Sequence, residues 1–204
     1  MTHGSNLPIT AFAVTGYSSI LLWRNMPARC CLAIQPNLAL MYHRNVKVFD
    51  VFASRLLLEI AGATTSFITL TLFFVSIGMM KLPEDVLKVI LGWLLLAWFG
   101  ASLALAVGSL SELFDVVEKI WHPFAYLLVP LSGAAFMVEW LPPYVKKIAV
   151  YVPMVQGVEI VREGYFGSTV RSHYDFTYMI VFCLCQTFIA LFISRIVGRR
   201  VIPE

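Results

Sequence analysis

The sequence predicts an all-α fold, a polytopic bundle of membrane-spanning helices, and three observations carry that reading. The 204 residues are 59% hydrophobic and 13% charged, with a mean hydropathy of +0.80. A soluble domain carries about 25% charged residues, and no core of this size hides so much apolar surface from water. Apolar runs long enough to cross a bilayer as helices, about 20 residues, recur at 56–80, 89–110, 123–141 and 176–197. Lysine and arginine gather beside these runs, as topology signals do. The net charge of +3 is too small for a nucleic-acid-binding face.

A fifth run, "LPITAFAVTGYSSILLW" at 7–23, is marginal in apolarity but uncharged, and it ends against Arg24. Spanning segments must satisfy their backbone groups internally, which makes them helices. Five spans in a single transmembrane domain over 1–204 are therefore expected. Two of them carry small residues at four-residue spacing, Gly100, Ala104 and Gly108 in one and Ala61, Thr65 and Thr69 in the other. That spacing lets helix backbones approach closely, although an Ala- and Gly-rich helix also produces it by chance.

Orientation follows from the basic residues. The connection 24–55 carries Arg24, Arg29, Arg44, Lys47 and Arg55 against one acid, Asp50, and the tail carries Arg195, Arg199 and Arg200. Both are assigned to the cytoplasm. The turn "KLPEDVLK" at 81–88 then lies outside, and the net acidic loop "SELFDVVEKIWHP" at 111–123 lies inside. Five spans place the termini on opposite sides, so the expected explanation is a further helix lost from in front of the first run. The N-terminus lacks the positive region of a cleavable signal.

Cys30 and Cys31 are adjacent, and Cys183 and Cys185 lie within an apolar run; all four read as small apolar fillers. His43, His122 and His173 are isolated, so no metal site is expected. Arg55 and Glu59, four residues apart at the start of a span, are expected to form a structural ion pair.

Two stretches remain. In "NLALMYHRNVKVFDVFASRLLLE", 37–59, the residues Leu38, Met41, Tyr42, Val46 and Phe49 recur at helical spacing. His43, Arg44, Asn45 and Lys47 fall elsewhere on the wheel. This is a helix on the membrane surface, or one that presents a face to a soluble partner. In "WLPPYVKKIAVYVPMVQGVEIVREGYFGS", 140–168, prolines end the fourth span and open a second short piece at Pro153, and Gly164 is placed to stop that piece. Each piece is about ten residues, too short to span, so the pair predicts a re-entrant helical hairpin before the last span. Such backbone needs cover by protein or water. Glu159 is spaced to pair with Arg162, which leaves Glu163 as extra charge. Tyr165 and Phe166 read as interfacial anchors or as flat faces for sugar rings.

The words "NLALMYHRNVKVFDVFASRLLLE", "EKIWHPFAYLLVPLSGAAFMVEWLP" and "VPMVQGVEIVREGYFG" together resemble the membrane subunit of ABC-2 type exporters, specifically the permease of Gram-negative capsular polysaccharide export. The resemblance runs through most of residues 8–198. It implies six spans, five of them here, with both ends cytoplasmic, and about 50–60 further N-terminal residues that hold the first span. It implies an inner-membrane assembly of two permease copies and two separate nucleotide-binding ATPase subunits, which bind the ATP and magnesium. That assembly works with periplasmic and outer-membrane components on a lipid-linked acidic polysaccharide. The stretch with Leu38, Met41, Tyr42, His43, Arg44 and Lys47 becomes the ATPase-coupling region. Glu159, Arg162, Glu163, Tyr165, Phe166 and Trp140 become translocation-path candidates, beside the further aromatics Trp93, Trp98 and Tyr126. An exporter of O-antigen or another lipid-linked glycan, and an inactive truncated permease, stay open as alternatives. No G-x-x-x-x-G-K-[ST] sequence is present, nor any nucleophile elbow or paired carboxylates, so the chain is expected to bind no cofactor and to catalyse nothing itself.

Overall fold

The computed structural model describes residues 7–39, 41 and 46–201. Seven α-helices have both ends among them: α1 (Ile9–Cys30), α2 (Val48–Ser76), α3 (Val86–Leu113), α4 (Val116–Leu128), α5 (Pro143–Ala149), α6 (Pro153–Phe166) and α7 (Phe176–Val201). No strand occurs among the described residues. Three of the helices, Val48–Ser76, Val86–Leu113 and Phe176–Arg200, are long and apolar enough to cross a membrane.

The bundle is organised around α3. Its apolar residues lie on all sides of the helix, and α1, α6 and α7 cover it, so more of it is buried than of α2 or α7. Close packing on α3 follows from the expected small residues. A Cβ on Gly100 would lie 2.8 Å from the Cα of Trp23, and one on Gly108 would lie 2.7 Å from the Cβ of Cys30. Between them Ala104 is fully buried. The second small-residue stripe does not pack within the chain: Ala61, Thr65 and Thr69 face outward on α2.

Local chemistry sets the helix ends. Asp85 caps α3 by accepting from the Lys88 N–H at 3.0 Å, and Asp50 returns a bond to the Lys47 N–H at 2.9 Å at the start of α2. After α1 the chain turns at Leu32, which takes a left-handed φ of 47°. That conformation costs a residue other than glycine about 1–2 kcal/mol. It is held because the Leu32 N–H donates to Ser111 Oγ at 3.1 Å and the Ile34 N–H to Glu112 Oε1 at 2.8 Å.

Several sequence expectations are corrected. The first run does not end at Arg24; α1 continues to Cys30, and Pro27 sits in its last turn. Val48 to Glu59 belong to α2 and not to a surface helix. The fourth run, 123–141, is not one helix: α4 stops at Leu128. Pro130 has no N–H to continue the ladder, and Gly133 takes φ +77°. Residues 129–137 form an irregular segment in its place, so five full-length spans are not what the described residues form. Finally, Glu59 pairs with Arg29 at 3.1 Å and not with Arg55, which instead donates to the Arg29 carbonyl at 2.6 Å and so caps the end of α1.

Candidate functional site

The expected hairpin is present as α5 and α6. Pro143 opens the first helix and Pro153 the second, positions where a missing N–H costs nothing. The second helix outruns its expected stop. Gly164 lies inside α6, where a Cβ would stand 2.6 Å from the Val89 nitrogen, and Gly167, at φ +58°, ends the helix. The hairpin lies beside the N-terminal half of α3: Gly164 meets Val89 and Gly157 meets Leu96, ten residues or about 15 Å along from Val86.

Almost all of α6 is buried, and this changes the roles of its charged residues. Arg162 is fully buried. Its Nη1 donates to the carbonyls of Gly133 and Phe136, both at 2.6 Å, and its Nη2 donates to that of Ala134. The guanidinium also lies 3.9 Å above the Phe12 ring. Glu159 is 1% exposed; its carboxylate accepts from the N–H groups of Val138 at 3.2 Å and His173 at 3.3 Å. The two residues do not pair with each other. Each neutralises loop backbone instead: Arg162 supplies donors to the irregular 133–136 segment, and Glu159 accepts from the segments on either side of the hairpin. Such groups left bare at membrane depth would cost several kcal/mol each.

Tyr165 and Phe166 are packed edge to face, 5.2 Å between centroids, and are 4% and 6% exposed. Tyr165 donates its hydroxyl to the Lys81 carbonyl. They pin the hairpin to the 81–88 turn and offer no free faces. Glu163 binds Lys88 at 2.8 Å. Trp140, 38% exposed, stacks one face on Phe12 at 5.3 Å and keeps the other open.

A cleft of about 700 Å³ opens outside the hairpin, lined by Lys146, Lys147, Tyr151, His173 and Tyr178 among others. Glu139 binds Lys146 and, at 2.6 Å, His173. The Lys146 ammonium first, and His173 second, hold the Glu139 carboxyl down at about 2. Sequence reasoning passed over Glu139 and the lysines and read His173 as isolated, whereas it meets Glu139. The signal available was the pair of lysines in "YVKKIAVYV", at the polar end of an apolar stripe.

At the other end of α3, the ties from Leu32 and Ile34 to Ser111 and Glu112 deliver the chain towards the expected coupling region. Leu38 is 43% exposed and Met41 9%. Lys47 borders a groove with Arg195 and Arg199. Tyr42, His43 and Arg44 lie outside the described residues. The hairpin and residues 31–38 thus occupy opposite ends of a helix of 28 residues. No group of three or more metal-ligating side chains occurs among the described residues.

Long apolar helices with a buried hairpin at one end of the bundle and a tethered polar connection at the other define a polytopic membrane domain. Residues 31–166 match the ABC-2 type transporter family, and the chain belongs to that family. Over 195 residues it is 41% identical to the capsule polysaccharide export inner-membrane protein CtrC of Neisseria meningitidis serogroup B, an alignment covering 96% of this chain and 72% of the relative. It is 37% identical over 200 residues to the capsule polysaccharide export inner-membrane protein BexB of Haemophilus influenzae, covering 98% and 76%. The polysialic acid transport protein KpsM of Escherichia coli is more distant, 23% identical over 190 residues.

Proposed function

We propose that this chain is the inner-membrane permease subunit of an ABC exporter that moves a lipid-linked capsular polysaccharide out of the cytoplasm. The observation that carries the reading is similarity to capsule polysaccharide export inner-membrane proteins along nearly the whole chain, 96% and 98% of it. ATP and magnesium are bound by a separate nucleotide-binding subunit. That subunit docks at the end of the bundle reached by residues 31–47, and its closure moves two permease copies as rigid bodies. Periplasmic and outer-membrane components take over the emerging polymer. The buried ties of Glu159 and Arg162 support a role for the hairpin as a rigid outer collar, and the cations and tyrosines of the outer cleft suit an acidic sugar chain.

Disruption of the gene in its host, followed by staining of surface and intracellular polysaccharide, tests the function. Polymer retained inside the cell is the expected result, and normal surface polymer would refute the reading. Tyr42→Ala and Arg44→Ala together test the docking: co-purification of the ATPase subunit should fall, and unchanged association would remove the coupling role.

A further inference from the structure

Arg24 does not sit at the end of α1, which runs on to Cys30. Its neighbour Trp23 packs against Gly100, which lies midway along the 28 residues of α3, about 20 Å from either end. Arg24 is therefore an arginine at mid-depth of the bundle. It makes no ion pair and no hydrogen bond among the described residues; its guanidinium lies 4.3 Å above the ring of Tyr126 on α4. Tyr126 is 64% exposed. Ala13, Tyr17, Leu21, Arg24 and Ala28 form the outward stripe of α1, so Tyr17, itself exposed, shares the face about 10 Å from Arg24.

An arginine at this depth is costly in hydrocarbon and is found where it meets water or a polar partner. A tyrosine face with a cation above it is attractive to the cation but leaves most of its hydrogen-bonding groups free. We infer that the α1–α4 face borders a water-filled passage and that Arg24, backed by Tyr126, is a mid-membrane contact for carboxylate-bearing sugars. The guanidinium fork fits a carboxylate in a bidentate fashion, and the tyrosine ring offers a flat surface for a pyranose. A single cation on an open face holds an anion weakly, which suits a chain that must keep moving. The inference rests on the export reading above and assigns it a cargo-handling site.

The test uses the complete chain, assembled with its ATPase subunit in vesicles, with Cys185, the one exposed native cysteine, replaced by serine. Tyr17→Cys, on the same face but outside the Arg24–Tyr126 pair, and, as a lipid-facing control, Phe188→Cys on α7, 76% exposed, are treated with a charged maleimide that does not enter lipid. Oligogalacturonate serves as the anionic sugar probe. The expected result is labelling at position 17 and none at 188, slowed by oligogalacturonate, with the protection weakened about tenfold by Arg24→Gln and kept by Arg24→Lys. Equal absence of labelling at both positions would overturn the passage. Labelling that oligogalacturonate does not slow, or that it slows equally in Arg24→Gln, would overturn the sugar contact. The same gene disruption separates the two readings: a protected site in a protein whose loss leaves surface polysaccharide normal keeps the site and removes the cargo.

Discussion

The guanidinium of Arg162 lies 3.9 Å above the ring of Phe12, and its two Nη atoms donate to the carbonyls of Gly133, Ala134 and Phe136. One side chain thereby joins α6, α1 and the irregular segment that follows α4. Arg162→Ala strands two buried carbonyls and one partly buried, at about 1–3 kcal/mol for each buried one, so a large loss of thermal stability in detergent is expected. Arg162→Lys restores the charge without the planar fork and should recover only part of it. Limited proteolysis around 129–137 provides an independent check: cleavage there should rise in both variants, most in alanine.

Gly100→Ala and Gly62→Ala should diverge in sign. At Gly100 the new Cβ would meet the Trp23 Cα at 2.8 Å, backbone that cannot rotate away, and overpacking of this kind costs about 1–3 kcal/mol. At Gly62 there is nothing within 4 Å, and alanine is the better helix former by about 1 kcal/mol. Melting temperatures of the two purified variants decide the point.

The Glu139 carboxylate gives the outer cleft a pH dependence. Its folded value of about 2 lies below the ordinary 4.5, so its stabilising contribution is fully present above about 4.5 and fades as pH falls through about 2. The protection factors of the amides at 143–149, corrected for the intrinsic pH dependence of exchange, should hold steady from neutral pH down to about 5 and fall below that. Lys146→Met removes the main partner; the acid-dependent step should then move upward towards the usual carboxylate range.

Glu112 accepts from the Ile34 N–H at 2.8 Å, and with Ser111 it tethers the connection that leaves α1. Glu112→Ala should leave the helices intact by circular dichroism while opening residues 32–38 to protease. If the ATPase subunit docks where proposed, its association should weaken in parallel.

Much of the architecture was legible because hydropathy and small-residue spacing act locally. Gly100 and Gly108 announce a close helix crossing by their spacing, and the prolines at 142, 143 and 153 announce the hairpin by their chemistry. The fourth span misled because 123–141 carries a single charge, Glu139 near its end, yet Pro130 and Gly133 break the backbone where hydropathy registers no change. The charges of α6 misled for another reason. Glu159 and Arg162 stand at the spacing of a mutual pair, but the partners of their side chains are main-chain groups 14 to 29 residues away, which no side-chain pattern records. Arg24 was read as an endpoint because it is the first charge after an apolar run; only its level against Gly100 places it at mid-depth.

The 29 residues of α2 extend about 43 Å, beyond the roughly 30 Å of a hydrocarbon core. Few of its neighbours hold it, since its buried residues are confined to Val48, Val51, Phe52, Phe67 and Thr71. A helix of that length crosses a bilayer with some tilt, and the direction is set where it packs, at Val48, Val51 and Phe52 and where Phe67 stacks on Trp93 at 4.6 Å. Its outward stretch, with Leu57, Leu58, Leu72 and Phe73 exposed, leaves room for that lean to adjust to a thinner or thicker bilayer.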